Sequence, residues 1–233
     1  MSYSPSSTKK TDYTGHYKAS EVDVYPSEFL VRAFLGTYEK LKIDHKLLRG
    51  KKVLDLGFGD GRNFQLLHDL GMELYGTEIT ESICKLITER LYQRKGISVD
   101  ARVGRNTSIP FANSFFDCIV ASSSSYYMDE GNKYEDNLAE IHRVLKPGGL
   151  FIHSLPMPST FIMRNAIDTG EGHMRITEDP YGVRVGTLMK QFKTEDEVRS
   201  YLTHGFKDIS IGSAKDDFWG DAVHLWLVVC TKT

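Results

Sequence analysis

The sequence predicts a doubly wound α/β domain: a mostly parallel sheet of seven strands, helices on both faces, and an antiparallel hairpin at the C-terminal end. Three observations carry this reading. A short apolar run stops at a glycine-rich turn, strand and helix patterns then alternate as far as Leu155, and two further apolar runs close the chain. Such alternation implies parallel strands joined by right-handed crossovers. The two closing runs have too little chain between them for a crossover helix, so they are expected to pair antiparallel.

Each element follows from local pattern. Residues 1–12 offer almost nothing to bury, which predicts a disordered tail. Residues 13–48 are expected to form a helical cover. Within them Ser27 follows Pro26 as a good N-cap, and Leu30, Ala33, Phe34, Tyr38 and Leu41 recur at helical spacing. Lys52-Val53-Leu54-Asp55-Leu56 reads as a buried parallel strand. Phe64, Leu67 and Leu70 mark a helix closing at Gly71, a natural C′ residue.

Glu73 to Thr77 is the second strand. Thr80 caps a helix whose inner face carries Ile83, Leu86, Ile87 and Leu91. Val99–Val103 and Asp117–Ser122 are strands three and four. A helix with Leu138, Ile141 and Leu145 ends at Lys146-Pro147-Gly148-Gly149, and Leu150–Leu155 is the fifth strand. Residues 156–193 are polar with weak periodicity, a long loop of the kind often used as a lid. Thr194 and Glu197 form a capping box opening a helix that runs to Gly205. Phe206–Ile211 and Ala222–Cys230 are the closing strands, joined by Gly212–Asp221. With no repeat and no linker, residues 13–233 read as one domain.

The bulk composition excludes several functions. The chain has 233 residues, 29 Lys plus Arg against 31 Asp plus Glu, and no long run of one sign. A duplex nucleic-acid binder needs cations for its phosphate contacts, so nucleic acid is not an expected partner. Three widely spaced cysteines with no CxxC or Cys/His cluster argue against a metal site or a disulfide framework. The N-terminus has no apolar stretch of signal-peptide type, and no run approaches the roughly 20 apolar residues of a membrane span. The expected location is cytoplasmic.

The strongest chemical signal is Val53-Leu54-Asp55-Leu56-Gly57-Phe58-Gly59-Asp60-Gly61, set between a strand and a helix. Glycines there let the backbone turn tightly and approach a ligand, and the helix N-terminus adds unpaired N–H groups. Glu78, 21 residues after Gly57, ends the second strand, where an acid can accept from both hydroxyls of a ribose. A dinucleotide and an adenosylmethionine both suit this outline. The spacing G-x-G-x-G brings the third glycine one position earlier than the dinucleotide fingerprint. Asp55 suits a ligand bearing an ammonium and a sulfonium and would repel a pyrophosphate.

The segment resembles motif I of the class I S-adenosylmethionine-dependent methyltransferases, of the methyltransferase type 11-like kind. Glu78 matches the ribose-binding acid of that family. Ile109-Pro110-Phe111 with Phe115-Phe116-Asp117 is similar to its L-P-F…F-D segment, and Glu140 to Gly149 resembles its E-x-x-R-V-L-K-P-G-G stretch. The resemblance implies a Rossmann-like fold and S-adenosyl-L-methionine as cofactor. It also implies roles for residues: Gly57, Phe58, Gly59 and Gly61 around the methionine portion, with Asp55 near its ammonium. Glu78 would then hold the ribose and Ile79 would pack on the adenine. Asn106 and Thr107 would border the adenine edge, and Ser122 and Ser123 would line the cofactor near the transferable methyl.

Two departures stand out. Gly104 is followed by Arg105, which cannot accept a hydrogen bond, where the family has an aspartate. Ser124-Ser125-Tyr126-Tyr127-Met128 carries tyrosines where relatives often have histidine. No catalytic base is identified; the candidates are His153, His173 and Tyr127. Residues 156–193 are the expected substrate lid, and the stretch from Tyr13 to Tyr25, with His16 and Tyr17, a second cover. The implied reaction is methyl transfer to an O or N atom of a polar small-molecule or glycan-type acceptor. The alternatives are a non-catalytic cofactor-binding or regulatory subunit and an NAD(P)-dependent oxidoreductase.

Overall fold

The structure, a computed structural model, describes residues 13–18, 24–41, 43 and 45–233. The expected tail at 1–12 lies outside the described residues. Among the described residues two short helices come first, α1 (Tyr13–Lys18) and α2 (Glu28–Leu35). The alternating part follows as β1 (Lys52–Leu56), α3 (Phe64–Asp69), β2 (Glu73–Glu78), α4 (Glu81–Lys95), β3 (Asp100–Val103) and β4 (Phe116–Ala121). Next come β5 (Tyr127–Met128), α5 (Tyr134–Val144) and β6 (Leu145–Pro156). The chain ends with β7 (Ile167–Asp168), β8 (His173–Arg175), β9 (Leu188–Lys190), α6 (Glu195–Leu202), β10 (Phe206–Phe218) and β11 (Asp221–Lys232).

The main sheet has seven strands in the order β10-β11-β6-β4-β1-β2-β3. Strands β3, β2, β1, β4 and β6 run parallel, whereas β11 pairs antiparallel with both β6 and β10. Strand alternation sorts the core into two layers. Val53, Cys118, Val120 and Ile152 pack with Leu30, Phe34, Phe64, Ile83 and Ile87 from α2, α3 and α4. Leu54, Leu56, Ile119 and Phe151 pack with Leu138, Ile141, Val198 and Leu202 from α5 and α6. Each fully buried Leu, Ile or Phe contributes about 1.5–3 kcal/mol, which holds the helices on both faces.

The sequence-based helix ends are sound where a cap is present. Thr80 Oγ1 accepts from Ile83 N at 3.3 Å, and Gly71 takes a left-handed φ of 74° after α3. Four expectations need correction. Helix α2 stops at Leu35, with Gly36 extended, so Tyr38 and Leu41 lie beyond it. Helix α5 stops at Val144, and Leu145 already pairs with Phe116, so Lys146 to Gly149 lie inside β6. Gly212–Asp221 is no long connection: β10 and β11 stay paired until Phe218 faces Asp221 across Trp219-Gly220. Residues 156–193 are not one irregular loop, because they supply β7, β8 and β9, which join β5 in a four-stranded sheet.

Two side-chain contacts anchor that sheet and the chain leaving it. Lys190, 2% exposed, donates to Glu171 O at 2.7 Å and pairs with Glu197 of α6 at 2.9 Å. Trp226 of β11 donates its indole N–H to Phe192 O at 3.0 Å.

The family-like stretch before β6 is structural. Arg143 reaches Ile109 O at 2.9 Å, Phe111 O at 3.0 Å and both oxygens of Glu140, while Glu140 accepts from Ile109 N at 2.8 Å. Lys146 pairs with Asp117 at 2.9 Å. Charge-assisted bonds of this type, worth about 1.5–3 kcal/mol each, fix the approach into β4.

Candidate active site

The carboxyl ends of β1, β2 and β4 open onto one cavity of about 660 Å³, within the range of about 300–1,000 Å³ usual for small-molecule and cofactor sites. Ligands bind at such strand ends in open α/β sheets. Gly57, Phe58, Gly59, Glu78, Ile79, Asn106, Ser122, Ser123 and Tyr127 all line it, so the structure brings together most of the residues singled out in the sequence.

The glycine turn is built by close approach. Gly57 and Gly59 have φ of 66° and 58°. A Cβ on Gly57 would stand 2.7 Å from Ser124 Cβ, and one on Gly59 2.9 Å from Tyr17 Oη. Ser124 in turn donates its hydroxyl to Leu56 O. Gly61 differs from the expectation: it does not line the cavity, and a Cβ there would lie 2.6 Å from Ile87 Cγ2. Its role is to let α4 pack against the turn.

Glu78 joins the two signals. Its Oε1 accepts from Gly59 N at 2.9 Å and its Oε2 from Ile79 N at 2.9 Å. Burial raises its pKa, with the two N–H donors opposing the rise. Each carboxylate oxygen keeps acceptor capacity beyond the one N–H it receives.

Asp55 is enclosed and does not line the cavity. Burial pushes its carboxyl up to about 7. Asn63 stands between it and the cavity, donating to Asp55 Oδ2 at 3.2 Å. The amide oxygen of Asn63 accepts from Ser27 N at 3.1 Å and Ser27 Oγ at 3.2 Å. Ser27 Oγ also lies 2.8 Å from Ser122 Oγ. Ser27 therefore starts α2 without a side-chain cap bond, its hydroxyl turned into the site. Direct contact between Asp55 and a ligand ammonium does not fit this arrangement; Asn63 and Ser27 are the groups presented.

At the far end, Asn106 donates to Ser124 O at 2.9 Å and Tyr127 O at 3.0 Å. Arg105, the departure from the family pattern, binds Asp129 at 2.5 Å, and Asp129 lines the cavity. A carboxylate thus does stand at that edge, supplied by a later loop. Thr107 sits behind it, donating to Asp129 Oδ2 at 3.4 Å, and does not line the cavity itself.

The histidine candidates fall away. His153 is fully buried and stacks on Phe151 with ring centroids 4.0 Å apart, and burial lowers its pKa to about 3. His173 pairs with Lys190 in the second sheet, and neither histidine lines the cavity. Tyr127 does line it, but burial holds its hydroxyl well above its ordinary value, so it is a donor at neutral pH and no ready base. Among the described residues the cavity's histidine is His16 of α1.

Helix α1 lines the cavity with Tyr13, His16 and Tyr17. Thr14 Oγ1 lies 2.9 Å from Ser82 Oγ, and Arg90 donates to Tyr17 O at 2.9 Å. His16 meets the Tyr181 ring edge-on at 5.5 Å. Tyr181, Arg184 and Thr187 reach the cavity from the 156–193 segment, and Phe161, Ile162, Val223 and Leu225 form its apolar wall. Sequence reasoning did not single out Asn63, Asp129 or the inward face of Ser27. The acids and amides of loops carry no periodicity that would mark them.

Comparison with known proteins agrees with this geometry. Residues 54–153 match the family described as "Methyltransferase domain". A ubiquinone/menaquinone biosynthesis C-methyltransferase of Erwinia tasmaniensis is 31% identical over 133 residues, 54% of this chain and 51% of that protein. Phosphoethanolamine N-methyltransferase 2 of Caenorhabditis elegans is 23% identical over 215 residues, 90% of this chain and 42% of the relative. The chain thus spans about half or less of the length of these relatives. A crystal structure of an S-adenosylmethionine-dependent methyltransferase from Methanosarcina mazei superposes with a TM-score of 0.65 at 18% identity, covering 91% of this chain and 99% of that one. This likeness establishes the fold. The match of the glycine turn to a methyltransferase domain also sets aside the NAD(P)-dependent oxidoreductase alternative.

Proposed function

We propose that this chain, which belongs to the class I S-adenosylmethionine-dependent methyltransferases, transfers a methyl group to an oxygen or nitrogen atom of a polar small-molecule or glycan-type acceptor. The observation that carries the reading is the joint placement of Glu78, the glycine turn and Ile79 at one cavity, with the acid tied to Gly59 N at 2.9 Å.

The residues present fit the cofactor. Gly57 and Gly59, both at positive φ, turn the backbone along the cavity wall, and Glu78 offers two oxygens to a ribose. Asn63 and Ser27 stand where the methionine end would lie, with Ile79 and Asp129 at the adenine end. When bound, S-adenosylmethionine supplies an electrophilic methyl on a sulfonium. The chain's own work is alignment and exclusion of water: α1 and the 156–193 segment close over the cavity, and a held acceptor gains chiefly from orientation. His16 is the group placed to accept a proton from a hydroxyl or amine acceptor.

The apolar wall of Phe161, Ile162, Val223 and Leu225 favours a second reading, an acceptor with an apolar ring or chain methylated at carbon. The name of the Erwinia relative is of that kind. Calorimetric titration with S-adenosylmethionine, S-adenosylhomocysteine and NADH, beside a Glu78→Ala variant, tests the cofactor. Binding of the first two that the variant loses supports the reading, and preference for NADH overturns it. A methyl-transfer screen over alcohols, amines and phenols then separates the acceptor classes, and absence of any turnover points to the non-catalytic subunit.

A further inference from the structure

We propose that the acceptor enters the cavity as an oxyanion, a carboxylate or a phosphate, paired with Arg184. The inference rests on the methyltransferase reading of the site and names the acceptor class.

Three guanidinium groups face the cavity. Arg62 is held by both oxygens of Asp60, and Arg105 is held by Asp129 at 2.5 Å. Arg184 is different. Its Nη1 lies 3.6 Å from Asp179 Oδ1, beyond hydrogen-bond reach, and no side-chain hydrogen bond of Arg184 is formed among the described residues.

Asp179 is occupied elsewhere. Its Oδ2 accepts from Val183 N and Arg184 N, both at 2.9 Å, and its Oδ1 from Tyr181 N at 3.3 Å. That carboxylate shapes the 179–184 turn and aims Arg184 inward, offsetting part of its charge without using its donors. The Arg184 side chain is 23% exposed, so much of its hydration is lost. A cation in that position with unused donors is costly unless a ligand supplies the acceptors. The planar guanidinium fork matches carboxylate and phosphate oxygens bidentately.

The surroundings suit an anion. Tyr13, Tyr126 and Tyr127 line the same cavity, and the charge of Arg184 acts on all three hydroxyls. Burial keeps Tyr13 and Tyr127 protonated at neutral pH, so neither brings a negative charge to compete with an incoming oxyanion.

The test uses the full chain saturated with S-adenosylhomocysteine. Thermal melting and calorimetry are run in inorganic phosphate and in acetate, against chloride at matched ionic strength. Phosphate or acetate should raise Tm beyond chloride, and Arg184→Gln should weaken that binding by roughly tenfold or more. Arg184→Lys should keep part of it, because the charge stays while the fork is lost. A response to phosphate alone supports a phosphomonoester acceptor, and a response to acetate alone a carboxylate.

Equal responses in wild type and Arg184→Gln, or none beyond chloride, overturn the proposal. So does a parallel loss of S-adenosylhomocysteine affinity in Arg184→Gln, which would assign the guanidinium to the cofactor's carboxylate. Failure of the wild-type chain to bind S-adenosylhomocysteine sinks the methyltransferase reading instead. The same anion titrations without that ligand then still decide whether Arg184 holds an oxyanion.

Discussion

Asn63 donates its side-chain amide to Asp55 Oδ2 across 3.2 Å, while Asp55 Oδ1 is buried with no partner among the described residues. The acid that looked like a ligand group in the sequence is thus the floor beneath one. Its carboxyl is raised to about 7 by burial. A group whose folded pKa lies above its unfolded value binds more protons folded than unfolded, so stability falls as pH rises from about 4 to about 7.

Asp55→Asn removes that dependence and leaves an oxygen for Asn63 to donate to. The variant should be more stable than wild type at pH 8, by roughly 1–4 kcal/mol, with the gap closing toward pH 4. Denaturant melts at the two pH values measure it. A gap of the same size at both would mean the carboxyl is not neutralised by burial.

His153 gives the opposite slope. Its pKa is lowered to about 3, so the unfolded chain binds the extra proton and stability falls as pH drops from about 6.5 toward 3. His153→Phe keeps the stack on Phe151 and removes a buried Nε2 that has no partner among the described residues. The variant should retain wild-type kcat and KM at pH 7.5 and gain stability over wild type below pH 6. A large loss of kcat with folding intact would return this histidine to the chemistry.

Glu197→Ala should cost about 3 kcal/mol. It strips the carboxylate from Lys190, which is 2% exposed, and breaking such a buried pair costs about 3–5 kcal/mol, with the low end expected here because Glu197 is partly exposed. Lys190→Met should cost less, since the aromatic rings of Phe192 and Tyr201 about 5 Å away can pack on the thioether. Chemical denaturation of both variants ranks them, and the reverse order would contradict this account.

Deleting residues 1–24 removes α1 and with it Tyr17, whose hydroxyl stands over Gly59. S-adenosylhomocysteine should bind more weakly and leave faster from the truncated chain. Stopped-flow displacement reads the off-rate, and an unchanged rate would remove α1 from the cofactor's cover.

The strands around the glycine turn were legible because each is a short apolar run ending at a glycine, a cap or an acid. Glu78 was legible for the same reason: its distance from Gly57 is fixed by one strand–helix–strand unit. The second sheet was not, because β5, β7, β8 and β9 are two or three residues long, too short to show a period of two. Buried Lys190 hid its strand further, since charge in sequence reads as surface. The length of β10 was also missed: Gly212 to Phe218 leaves most side chains exposed and shows no apolar alternation. Arg184, Asp129 and Asn63 reach the cavity from loops, where tertiary placement rather than spacing decides what faces inward.

The indole of Trp226, tied to Phe192 O, makes the second sheet visible to light. The chain has two tryptophans, and the other, Trp219, is 99% exposed at the hairpin tip. Trp219→Phe would leave a single tryptophan where β11 meets the 156–193 segment, so that its emission wavelength reports movement of that cover in real time without any attached label.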